Sequence, residues 1–258
     1  MCLLVIAFRA HPRYRLVVAA NRDEFHERPA APLGKWGAPD ILAGRDLRAG
    51  GTWLALDRAR RFGVVTNFRD MQPPLPGSLS RGALIPAFLA QSGTAAEFLD
   101  ALTPVAATYS GFNLLLCDAE GLLYASNRAT PFARSLAPGI YGLSNHLLDT
   151  PWPKLTRVRR EFAAWIAAPA ASEEQLLSML ADRTPAPPAR DAELGGLAPE
   201  WERALSAPFV LHPKYGTRCS TIVLVGDAGE LSVWERRFDP QGELSGESHA
   251  ELAPDEWL

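Results

Sequence analysis

Two short apolar blocks open the chain, CLLVIAFR at 2–9 and RLVVAANR at 15–22, separated by the polar, proline-bearing AHPRY. Runs of this length, rich in Val, Leu and Ile and split by a short loop, predict a β-hairpin. Three more strand-like runs follow, DILAGRD (40–46), GTWLALD (51–57) and FGVVTNF (62–68), with the glycine pair at 50–51 as a turn. The period then changes. Ser80 stands where it would cap a helix over SRGALIPAFLAQS, and Thr94 where it would cap TAAEFLDALT, with Glu97 in capping-box position. Strands resume at 111–119, 121–127 and 139–145. Leu155, Val158, Phe162, Trp165 and Ile166 then recur at helical spacing over 153–167, and Ser172, followed by Glu174 and Gln175, opens another helix reaching about Asp182. Residues 183–199, rich in Pro and Gly, predict an irregular loop, as do 72–78. Strands return at 209–212, 218–226 and 230–238, and the polar tail predicts no regular element.

Strands, two helices, strands, two helices and strands again do not follow the strict βαβ alternation of a doubly wound sheet. The order predicts an α+β architecture, antiparallel sheets stacked on each other with helix pairs outside. No repeat or linker divides the 258 residues, so one domain over 1–258 is expected. With 47% apolar and 21% charged residues and a net charge of −3, the chain lacks the basic stripe of a nucleic-acid binder. No apolar run approaches the ~18 residues of a membrane span, and LLVIAF is short for a signal segment and has no basic flank. The cysteines at 2, 117 and 219 show neither disulfide pairing nor metal-ligand spacing, so a reducing, cytoplasmic setting is expected, without a metal or resident cofactor.

Pairing the first two strands across their loop sets Arg9 opposite Arg15 and therefore Cys2 opposite Arg22. A slip of one residue would bring Asn21 or Asp23 there instead, so in any register the thiol lies beside NRDE (21–24). A neighbouring guanidinium favours the thiolate, lowering its pKa from ~8.5. Removal of Met1 would give Cys2 an α-amine with a pKa near ~8, able to act as a base within the same residue, with Asp23 to orient it. Asn67 and Asn145 each end a strand. They can serve as oxyanion donors for acyl transfer, or simply cap turns. Arg218 begins an apolar strand and offers a second pocket cation, while Asn21 and His146 flank the same segments as candidate substrate contacts. Cys117 and Cys219 alternate with apolar residues and read as inert core thiols. Cys2 itself could equally be a small core residue beside an ordinary charged strand end.

The segments MCLLVIAF, VVAANRDEFHERP, AGRDLRAGGTWLAL, GVVTNFRD, LSRG, YGLSNH and TRCSTIVLV, in this order from residue 2 to about 235, resemble the NRDE family, also called the transport-and-Golgi-organisation family. The resemblance implies a four-layer αββα sandwich of the N-terminal-nucleophile hydrolase type, similar to the cysteine amidases that cleave penicillin V and conjugated bile salts. It implies Cys2 as the nucleophile, with Arg22 and Asp23 beside it, although those amidases space the two further apart. Asn67, Asn145 and Arg218 take oxyanion and pocket positions. The ligand would be a small amide or acyl compound. The family also implies an alternative, a non-catalytic carrier of haem or of a lipid or acyl-coenzyme A, for which Cys2, His146, His212 and Tyr141 are the candidate haem donors. The loops 69–79 and 183–199 would frame the pocket.

Overall fold

The computed structural model describes residues 2–70, 77–168, 172–187 and 197–258. Strands β1 (Cys2–Phe8) and β2 (Tyr14–Phe25) form the expected hairpin, closed by the Arg9 N–H donating to the Arg15 carbonyl at 2.8 Å. Its register runs from Cys2 opposite Arg22 to Phe8 opposite Leu16. The second sheet takes its strands in sequence order: β3 (Ala30–Lys35), β4 (Ile41–Asp46), β5 (Leu54–Asp57), β6 (Phe62–Asn67), β7 (Phe112–Cys117), β8 (Leu122–Ser126) and β9 (Ala133–Leu136). The first sheet gathers distant segments. β10 (Gly139–Leu143) pairs with the free side of β1, and β12 (Tyr215–Gly226) with the free side of β2. Beyond β12 lie β13 (Leu231–Phe238) and β14 (Leu244–Leu252), and the short β11 (Leu211–His212) also pairs with β12. Neighbouring strands are antiparallel throughout both sheets.

The period-2 alternation of β1 and β2 sorts their side chains into two cores. Leu4, Ile6, Phe8, Leu16 and Val18 face the other sheet and meet Leu54, Leu56, Phe62 and Leu115. Leu3, Val5, Ala7, Val17 and Ala19 face outward and are covered by α3 (Pro153–Ile166) and α4 (Glu173–Leu180) through Leu155, Val158, Phe162 and Leu180. On the far side α1 (Leu84–Ala90) and α2 (Ala95–Leu102) cover the second sheet, with Ile85, Phe88 and Leu99 against Leu114 and Leu116. The result is the expected α+β fold, a four-layer αββα sandwich. Each fully buried Phe, such as Phe62 or Phe162, contributes about 1.5–3 kcal/mol through apolar burial.

Thr94 forms its capping box: its Oγ1 accepts from the Glu97 N–H at 3.2 Å, and the Glu97 carboxylate accepts from the Thr94 N–H at 2.8 Å. Gln175 likewise accepts from the Ser172 N–H at 3.1 Å. Ser80 differs from expectation. Its side chain caps nothing, and a 3-10 turn over Arg81–Ala83 precedes α1. Strands β3 and β9 and the helix α5 (Pro199–Leu205) were not expected. Nor was β14, whose alternating polar residues pair with β13 in place of a loose tail. Of the two loops expected to frame a pocket, 71–76 and 188–196 lie outside the described residues.

Several of the sequence motifs turn out to be one packing unit. A Cβ on Gly51 would lie 2.2 Å from the Gly82 carbonyl oxygen, which accepts from the Thr52 N–H at 3.0 Å, so GGTW and SRG meet backbone to backbone. A Cβ on Gly44 would strike the Trp53 ring at 2.4 Å. Asp46 of AGRD accepts from Arg28 Nε at 2.7 Å and from the backbone N–H groups of Arg48 and Ala49.

Candidate functional site

Cys2 heads β1 on the side facing the other sheet, and Arg22 stands directly opposite, with Cys219 of β12 next in the same cross-strand row. The Arg22 guanidinium is buried and lies over the Trp53 ring, 4.3 Å from its centroid. Cys2, Arg22, Trp53, Leu54, Thr66 and Thr221 line a small cavity between the sheets. Cys2 is half-buried, whereas Cys117 and Cys219 are fully so; burial pushes the Cys117 thiol up to about 11 and Cys219 well above its ordinary value.

The Cys2 thiol is also pushed up, first by burial and further by the Asp23 carboxylate. The Asp23 backbone N–H, hydrogen-bonded to the sulfur, and the Arg22 charge pull the other way. The net direction is opposite to that expected from Arg22 alone, because at this depth loss of water outweighs one guanidinium. Asp23 points to the helix-covered face, where its Oδ1 accepts from Thr217 Oγ1 at 2.7 Å and its carbonyl accepts from the Tyr215 hydroxyl at 2.7 Å. Burial raises its pKa, opposed mainly by Lys154.

Asn145 follows β10 in the left-handed region, at φ 59°, a conformation Asn tolerates better than most residues. That turn brings its side chain over the start of β1, where Oδ1 accepts from the Cys2 backbone nitrogen at 3.0 Å. Its Nδ2 donates to the Asn67 carbonyl at 3.0 Å and to Asn67 Oδ1 at 2.7 Å. Asn145 is therefore an acceptor toward Cys2, with its own donors spent on Asn67, and the expectation that it donates to an oxyanion is corrected. Asn67 is thus an acceptor toward Asn145 through both its carbonyl and its Oδ1.

Arg218 is the extra residue of a β-bulge between Thr217 and Cys219. Its Nη1 donates to the carbonyls of Phe25 and His26, which places it at the C-terminal end of β2, the end that carries Arg22, whose charge acts on it. Asn21 borders the same cavity, but its side-chain polar atoms are committed to the helix layer. Its Nδ2 donates to the carbonyls of Leu180 and Pro208, and its Oδ1 accepts from Ser220, so it ties β2 to the helix layer. His146 packs against Phe68 at 5.0 Å between centroids, with Nδ1 2.9 Å from Thr150 Oγ1. The remaining candidate haem donors have other partners: Tyr141 donates to the Ala137 carbonyl, and His212 packs against Trp201 with ring centroids 4.0 Å apart.

Three further cations are not singled out in the sequence, although Arg69 and Arg81 lie within the segments GVVTNFRD and LSRG. Lys154, in the first turn of α3, is 5% exposed; burial lowers its pKa, and Asp23, Arg69 and Cys2 are the charges that act on it. Burial also lowers Arg81, for which the Cys2 sulfur is the foremost compensating charge. Arg69 donates its backbone N–H to the Asn145 carbonyl at 2.7 Å. In sequence Lys154 reads as one more polar position of an amphipathic helix, and only the docking of that helix puts it inside.

Among the described residues no helix is long and apolar enough to cross a membrane. A family model described as "Transport and Golgi organisation 2" matches residues 1–240. The chain is similar to the human "Transport and Golgi organization protein 2 homolog", 34% identical over 258 residues with 92% of each chain covered. The mouse "Transport and Golgi organization 2 homolog" is 33% identical at the same coverage. The Drosophila melanogaster "Transport and Golgi organization protein 2" is 28% identical over 272 residues, covering 94% of this chain and 95% of that one. Among solved structures, a Caenorhabditis elegans N-acylethanolamine-hydrolyzing acid amidase ortholog is similar at a TM-score of 0.43 and 11% identity, covering 86% of this chain and 92% of that one. With a family match over nearly its whole length, the chain belongs to the Transport and Golgi organisation 2 family.

Proposed function

We propose that this chain is a cysteine N-terminal-nucleophile amidohydrolase acting on a small amide or acyl compound, with Cys2 exposed as the first residue by removal of Met1. The observation that carries the reading is the hydrogen bond from the Cys2 nitrogen to Asn145 Oδ1. Once Met1 is gone that nitrogen is an amine, and Asn145 holds it beside its own sulfur. A thiol whose pKa is raised needs a base close by, and the amine is that base.

The thiol proton passes to the amine as sulfur forms a bond to the substrate carbonyl carbon. Arg22 across the strand pair and the Asp23 N–H stabilise the developing thiolate. The Nδ2 end of Asn67 serves the tetrahedral oxyanion. The ammonium then returns its proton to the leaving nitrogen as the C–N bond breaks. Water, deprotonated by the same amine, hydrolyses the thioester and frees Cys2.

The test is turnover of a panel of N-acyl amides, followed by mass spectrometry, for the natural chain and Cys2→Ala, with intact mass to establish the N-terminus. The expected results are loss of Met1 and a fall in turnover of about 10³-fold or more in the folded variant. Full turnover by Cys2→Ala, or by a protein that retains Met1, overturns the reading, as does stoichiometric ligand binding with no product.

A further inference from the structure

We infer that Lys154, together with Arg81 and Arg69, forms a recognition site for an oxyanion of carboxylate or phosphate type on the compound that meets Cys2. The inference rests on Cys2 as the reacting group but not on the chemistry that follows. Its foundation is Lys154. The side chain is enclosed at the junction of α3 with the first sheet, and among the described residues its Nζ has no hydrogen-bond partner. A buried ammonium group with unused donors is costly to the fold. Asp23 offsets the charge, but at hydrogen-bond range no described residue accepts from Nζ. Ligand oxygen atoms would satisfy those donors.

The neighbouring charges favour an anion. Arg81, held in place by Nη1 donating to the Gly111 carbonyl at 3.2 Å, acts on the Cys2 sulfur, as do Lys154 and Arg22. Arg69 acts on Lys154 and is attached through its backbone to Asn145, the residue that holds Cys2. Against these cations the acidic groups are largely engaged. Asp70 pairs with Arg128 at 2.6 Å and Glu24 lies 3.9 Å from Arg28, though both also act on Arg81; Glu202 acts on Arg69, and Asp23 is the acid whose charge reaches the thiol. Of the side-chain charges that interact directly with the sulfur, Arg22, Lys154 and Arg81 are basic and Asp23 is acidic.

Two alkylating agents of nearly the same size read this field directly. Iodoacetate carries a carboxylate and iodoacetamide does not. The ratio of their rates at Cys2, measured by peptide mapping, is expected to exceed that of the uncharged thiol N-acetylcysteinamide by about fivefold or more, the effect of roughly one unreduced unit charge at several ångströms. Lys154→Met should bring the ratio down by a similar factor, and Lys154→Arg should keep it. Inorganic phosphate and acetate, compared with chloride at equal ionic strength, should each slow iodoacetamide; protection by one alone identifies which oxyanion fits.

A natural-chain ratio no higher than that of the model thiol overturns the inference, as does a ratio that Lys154→Met leaves unchanged. If Lys154→Met does not fold, judged by near-ultraviolet circular dichroism, the natural-chain ratio decides alone. The readout is independent of turnover. Failure of the hydrolase reading leaves the ratio interpretable, and a low ratio leaves the hydrolase reading standing.

Discussion

Asn145 and Cys2 are 143 positions apart in the chain, yet the Cys2 nitrogen donates to Asn145 Oδ1 at 3.0 Å, and the same Asn side chain donates back to Asn67. One amide thus joins β10, β1 and β6, across both sheets. Asn145→Ala should cost about 2–3 kcal/mol, roughly 1 from an alanine held at positive φ and the rest from lost hydrogen bonds. Asn145→Gly should recover the backbone part only and fall between the two. Urea denaturation midpoints give the order, and an alanine variant as stable as the natural chain would refute the account.

The near-contact of Gly51 with Gly82 makes a sharper claim, because backbone has no rotamer to change. Gly51→Ala should destabilise by about 2–3 kcal/mol or more as the two segments are forced apart. Gly37→Ala, where an added Cβ meets nothing within 4 Å, should change little. Equal melting temperatures for the two variants would sink the idea that GGTW and SRG are there to pack against each other.

Asp46 gives a pH signature. Burial alone would raise its pKa, but hydrogen bonds from the Ala49 N–H, the Arg28 guanidinium and the Arg48 N–H outweigh it and hold the carboxyl below its ordinary value. A depressed folded-state pKa contributes stability above the unfolded value and loses it as pH falls through the folded one. Asp46→Asn should therefore be about 1–2 kcal/mol less stable at neutral pH, with the gap closing below pH ~3.9. A gap that stays constant into strong acid is the contrary result.

Arg60 anchors the C-terminal segment. Its buried guanidinium donates to the carbonyls of Gly229 at 2.8 Å, Ala253 at 2.7 Å and Glu256 at 3.1 Å. Arg60→Met should leave those oxygens without donors, cost about 2–3 kcal/mol, and raise amide hydrogen exchange first over residues 244–258. Unchanged protection there would remove Arg60 from its proposed role as a clamp.

The hairpin register is legible in the sequence because both strands are bounded by one short loop, and counting back from Arg9 and Arg15 leaves Cys2 facing Arg22. The helices at 153–166 and 95–102 are legible for a similar reason, the apolar spacing of the first and the capping box of the second being local. β14 is not, since its polar residues gain their order from pairing with β13, and a strand half in water carries little apolar signal. The direction of the Cys2 shift is hidden on the same ground. Sequence adjacency displays Arg22, while the burial that outweighs it comes from packing.

Local chemistry, then, determined by itself the strand and helix segments with strong periodicity, the layered α+β class, and the pairing of Cys2 with NRDE. The closing of the site was decided in three dimensions. β10 arrives from position 139 to put Asn145 over the Cys2 nitrogen, α3 turns Lys154 inward, and the Asn21 amide is spent on the carbonyls of Leu180 and Pro208. The physical reason is that a hydrogen bond or a buried charge depends on distance and on exclusion of water, and neither is a property of residues along the chain until the sheets and helices have packed.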